Sequence, residues 1–82
     1  MNTSTEILTI LQEEAAEVIQ IVSKLHRFGH HPDNIKRLEL ELGDLQCMID
    51  LCIEHQLVDE TRIQLYAKDK REKLRNWSNI PL

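Results

Sequence analysis

A chain of 82 residues makes a single domain, and one this short has difficulty enclosing a stable core by itself. The apolar share of 41% and charged share of 29% are those of an ordinary globular protein, and no apolar run approaches membrane-spanning length. The net charge of −4 is divided: residues 1–57 hold ten acidic against four basic side chains, and residues 58–82 hold four against six, which argues against a uniformly basic nucleic-acid binder.

Two Gly, two Pro and few aromatics predict an all-α chain of helices joined by short turns, without an internal repeat or linker. The first helix is expected over 6–28. Ile7, Leu8, Leu11, Ala15, Val18, Val22 and Leu25 recur in steps of three and four and predict one buried stripe. Thr3 followed by Glu6 has the form of a capping box, with Ser4 or Thr5 as other caps. Gly29 ends this helix, and Pro32 follows.

Asp33 or Asn34 is the expected cap of a second helix over 34–55. Its seam is Ile35, Leu38, Leu42, Leu45, Ile49 and Cys52. The short turn makes these two helices antiparallel neighbours. Asp59 is placed to cap a third helix over 60–76, with Ile63, Tyr66, Ala67, Lys70 and Leu74 on one face. Residues 77–82, containing Ser78, Asn79 and Pro81, form the tail. Ile10, Ile19, Ile21, Leu40, Met48 and Leu51 remain outside the seams. That surplus predicts an antiparallel bundle of three helices per chain, completed by oligomerisation.

Four carboxylates stand beside the seams. Glu14 and Glu17 are three apart within the row Ile10, Glu14, Glu17, Ile21. Glu41 and Asp44 repeat the spacing, with Met48 a turn further on. Antiparallel packing brings the pairs together, and such a cluster repels itself unless it binds a cation or takes up protons. Oxygen-only ligands suit a hard cation, Mg²⁺ or Mn²⁺. Either pair alone would commonly be a solvated pair. Their occurrence on adjacent helices favours a metal site.

Glu13-Glu14-Ala15-Ala16-Glu17 and Glu41-Leu42-Gly43-Asp44 resemble the EExxE and ExxD motifs of the MazG-like all-α nucleoside triphosphate pyrophosphohydrolases. The resemblance covers residues 7–55 well and 60–77 loosely. It implies a helical domain spanning 1–82 that assembles as a homodimer or homotetramer. It implies Glu14, Glu17, Glu41 and Asp44 as metal ligands for Mg²⁺, with Mn²⁺ able to substitute, and Glu13 and Glu41 as catalytic residues. The implied substrate is a nucleoside triphosphate, split to monophosphate and pyrophosphate in the control of nucleotide pools. Lys73, Lys70 and Lys24 are the residues expected to meet phosphate. Arg37, four before Glu41, is placed to do the same or to pair with Glu41. Only twelve residues precede Glu13, where fuller family members carry a further segment with aromatics, so the base pocket is expected to be shallow or completed by another subunit.

Cys47 and Cys52 are too few for a disulfide framework, and their spacing of five on a helix does not converge on a metal. The start MNTSTEILTI lacks the basic segment of a secretory signal, and the expected location is cytoplasmic. His26 and His30 flank the helix-ending Gly29, a poor zinc arrangement, and Trp77 is expected to pack the tail. Two other readings remain. A phosphoribosyl-ATP pyrophosphohydrolase resembles the first motif but usually lacks Gly43. A non-catalytic helical interaction module would leave its acids solvated.

Overall fold

A computed structural model describes residues 2–82. Among them there are three α-helices and no strand: α1 (Thr3–Phe28), α2 (Pro32–Glu54) and α3 (Glu60–Trp77). The start of α1 differs from the expected capping box. Asn2 is the cap, its side-chain oxygen accepting from the Thr5 N–H at 2.8 Å. Asn is as good a cap as Ser or Thr, worth about 1 kcal/mol, so the helix starts at Thr3 and takes Thr3, Ser4 and Thr5 into its first turn.

Gly29 closes α1 with φ 94°, a conformation that disfavours side chains. The start of α2 is also earlier than expected, since His31 is its cap and makes no side-chain capping bond. Pro32 fits the first helical position because its φ is preset and its missing N–H is not needed there. Asn34 serves the turn instead, donating from its side-chain amide to the Gly29 carbonyl at 3.4 Å. Asp59 caps α3 as expected, accepting from the Arg62 N–H at 2.9 Å.

Between α2 and α3 the chain turns at Gln56, whose φ of 59° is left-handed. The Leu57 N–H bonds back to the Cys52 carbonyl at 2.9 Å, closing the last turn of α2. Leu57 packs against the core cluster of Ile7, Met48 and Cys52, with Ile10, Leu11 and Leu51 around it. Ile7 is near the start of α1, and Met48 and Cys52 are near the end of α2. Further along, Glu17 reaches Arg37, so α1 and α2 form an antiparallel hairpin.

The faces that meet in this hairpin keep Ile7, Leu25 and Cys52 of the expected seams buried but are shifted toward the rows that carry the acids. On α1 the buried residues are Ile7, Ile21 and Leu25, while Leu8 and Val22 are exposed. On α2 they are Glu41, Met48 and Cys52, while Leu42 is exposed and Ile35, Leu38, Leu45 and Ile49 are half-buried. Two helices bury one contact line each. The contact line runs between the expected seam and the row that carries the acids, leaving Leu8, Val22 and Leu42 outside it.

No residue of α3 is buried, and α3 does not pack along α1 or α2 within the chain. Ile63 and Leu74 are half-buried, but Tyr66, Ala67 and Lys70 of the expected face are exposed. Trp77, expected to secure the tail, is also exposed and ends α3. The radius of gyration is 15.2 Å, against about 12 Å for a compact chain of this length.

Candidate functional site

The shift of the contact faces decides where the acids go. Glu14 lies one turn after Ile10 on the face of α1 turned to α2. Glu41 and Asp44 lie on the matching face of α2. Carboxylate oxygens of Glu14, Glu41 and Asp44 all come within 4.8 Å of one another. The three differ in exposure: Glu41 is buried, Glu14 half-buried and Asp44 exposed. The cluster is therefore rooted between the helices and opens to solvent at its Asp44 side.

Glu17 is not part of this convergence. Its carboxylate stands 4.0 Å from the Arg37 guanidinium. Arg37 also donates from Nε to Oε1 of Glu41 at 2.8 Å, one turn along α2. One guanidinium thus bridges the two helices at the edge of the acid cluster. Glu41 has only 4% of its surface exposed, and such a carboxylate needs a charged partner. Arg37 is that partner.

Glu14 bears the cost of the crowding. Its pKa is raised above its ordinary value of 4.5, first by desolvation and then by the charges of Asp44, Glu41, Glu17 and Glu13. Glu13 is exposed on the adjacent face of α1.

A shallow groove open to solvent, with about 20 Å³ of space, lies at Glu17 and Arg37 next to the cluster. It is lined by Glu17, Gln20, Ile21, Lys24 and Arg37. Of the lysines expected to meet phosphate, Lys24 lies at the groove. Lys70 and Lys73 are not in its lining. Lys73 pairs with Asp69 at 3.4 Å, and the Lys70 ammonium lies 4.7 Å from the centre of the Trp77 ring. Both contacts are internal to α3.

Sequence reasoning left Arg37 open between a phosphate contact and a salt bridge to Glu41. The structure makes the salt bridge and adds Glu17 across the hairpin. The i, i+4 spacing to Glu41 was the signal for the first contact. The second required the register of the hairpin. Gly43, between Glu41 and Asp44, is exposed, and an added Cβ would meet nothing within 4 Å. Packing within the chain does not require a glycine there.

The donor set fits a hard divalent cation. All three converging groups offer carboxylate oxygen, the donor that a hard cation such as Mg²⁺ takes. The histidines and cysteines take no part. His26, His30, His31 and Cys47 are exposed, and Cys52 is a buried free thiol packed on Ile7 and Met48. No helix among the described residues is long and apolar enough to cross a membrane. No family model matches the chain, and no curated protein or solved structure is matched by it.

Proposed function

We propose that this protein is a metal-dependent nucleoside triphosphate pyrophosphohydrolase. The observation that carries the reading is the convergence of Glu14, Glu41 and Asp44 from two helices. These are residues of the two motifs that resemble the MazG-like enzymes. Hydrolysis adds one water across the α–β phosphoanhydride, so the nucleoside keeps one phosphate and pyrophosphate leaves. Glu14, Glu41 and Asp44 hold Mg²⁺, with Glu17 one turn away. When bound, Mg²⁺ neutralises the triphosphate and makes a water more acidic.

In this reading burial holds Glu41 at the base of the site, and Arg37 is its counter-charge in the metal-free chain. Glu13, exposed beside Glu14, is available to accept a proton from the attacking water. Lys24 and Arg37 give the groove its positive charge for a phosphate. Lys70 and Lys73 reach a phosphate only if α3 covers the groove of its own chain or of another.

The same reading includes assembly as a homodimer or homotetramer. A folded monomer of 9.6 kDa exposes about 5,100 Å². This chain exposes 6647 Å². The surplus of about 1,500 Å² per chain is what one subunit gives up in an obligate homodimer. Leu8, Val22, Leu40 and Leu42 contribute to it on the hairpin, and Leu65 and Tyr66 on α3.

The test is an assay of ribo- and deoxyribonucleoside triphosphates for release of monophosphate and pyrophosphate with Mg²⁺. Activity is expected, and Glu41→Gln should abolish it while the circular dichroism of the folded helices is retained. A second reading, a non-catalytic helical interaction module, is favoured by the apolar side chains left on the surface. Thermal melting separates the two. A site of converging carboxylates is stabilised by Mg²⁺ or Mn²⁺, whereas a plain bundle scarcely responds.

A further inference from the structure

Arg37 sits where a cation is wanted. Its guanidinium lies 2.8 Å from Oε1 of buried Glu41 and 4.0 Å from Glu17 on the facing helix. Its own side chain is 59% exposed, so it is free to leave the carboxylates for water without burying a charge. The carboxylate it grips is the least exposed member of the converging group, and its second neighbour, Glu17, is the motif acid outside that group.

We propose that Arg37 is a built-in rival of the divalent cation: it supplies the counter-charge of the acidic site in the metal-free chain and is displaced from Glu41 when metal binds. This rests on the metal-site reading above. The exchange follows from ligand chemistry. A divalent ion makes short contacts to several carboxylates at once, while the guanidinium offers hydrogen bonds to two. Glu41 is held ready by Arg37, which offsets part of the repulsion among the carboxylates in the metal-free chain. The same grip weakens metal binding, because part of the carboxylate charge is already matched. Release of Arg37 also frees Glu17 to join the other acids.

The decisive measurement is Mn²⁺ affinity by calorimetry without nucleotide, for the unaltered chain, Arg37→Gln and Lys36→Gln. Lys36 is exposed beside Arg37 and controls for loss of a nearby positive charge. Arg37→Gln should bind Mn²⁺ about five- to tenfold tighter, the scale of one ion-pair contact in a partly solvated site. Lys36→Gln should change affinity less than twofold. Equal or weaker binding by Arg37→Gln, with the unaltered chain binding normally, overturns the proposal and leaves the metal site standing. Equal tightening by both variants also overturns it, since the effect is then general charge. Failure of every chain to bind Mn²⁺ overturns the metal-site reading and the proposal with it. Binding by Arg37→Gln alone supports both.

A measurement on the unaltered chain guards against a variant that fails to fold. The Arg37 Nε–H resonance is followed by ¹⁵N NMR as Mg²⁺ is added. The expected result is a shift and faster hydrogen exchange with solvent at saturation. A resonance that keeps its position and protection while Mg²⁺ saturates the site sinks the idea, because Arg37 then stays on Glu41 throughout.

Discussion

Glu14 is the side chain on which the electrostatics of the site can be read without metal. Partial desolvation and four neighbouring carboxylates raise its pKa in the folded chain. The folded state therefore binds a proton more readily than the unfolded one. Stability conferred by that proton is present below the ordinary value of 4.5 and is lost as the pH rises through the raised value. Above the raised value the ionised Glu14 is a destabilising group. Glu14→Gln should be more stable than the unaltered metal-free chain at neutral pH, and its advantage should shrink on acidification into the carboxylate range. Urea unfolding at a series of pH values in a chelator checks this, and an advantage independent of pH would contradict it. On the proposed metal-site reading, saturating Mg²⁺ should reverse the order, because a cation that binds the folded cluster stabilises it.

At the scale of elements, the connection after α2 stores strain. Gln56 adopts a left-handed backbone at φ 59°, which costs a side-chain-bearing residue about 1–2 kcal/mol. The bond from Leu57 to the Cys52 carbonyl and the packing of Leu57 on the core hold it there. Gln56→Gly should relieve the strain, and after the added entropy of the unfolded chain a net gain of about 0.5–1 kcal/mol remains. Denaturant unfolding measures it, and a loss of stability would show that the Gln56 side chain contributes more than its backbone costs. The helices themselves were legible in the order of residues. Gly29 and Asp59 end α1 and start α3 as their chemistry dictates. Helix starts were less legible, because Asn2 competes with Thr3 as a cap and Pro32 opens α2 without one. Local capping choices differ by less energy than the packing that follows them.

The whole molecule is an acidic hairpin with a basic helix standing away from it, and its apolar rows remain open. Assembly predicts that folding and association are coupled, so the melting temperature should rise with protein concentration. Val22→Lys combined with Leu42→Lys places charges on the open rows without touching the carboxylates. It should dissociate the assembly, while the chain keeps its helical circular dichroism at high concentration. Sedimentation of the unaltered chain as a stable 9.6 kDa species at micromolar concentration, with a concentration-independent melting temperature, would rule the assembly out.

The order of residues by itself determined three helices, their approximate ends and the spacing that puts Glu14 with Glu17 and Glu41 with Asp44 on helix faces. These are local properties, set by periodicities of three and four and by turn residues. The tertiary structure alone decided which face of each helix meets the other. Leu8, Val22 and Leu42 belong to the strongest apolar rows, yet they are exposed, while Ile21 and Met48 are buried. Periodicity identifies an apolar row but not its occupant, and a chain with more than one such row must choose by contact across the hairpin. That choice brought Glu14 to Glu41 and Asp44, and it turned Glu17 to Arg37. The ion pair joins residues twenty positions apart, and only the antiparallel register of α1 and α2 places them within reach.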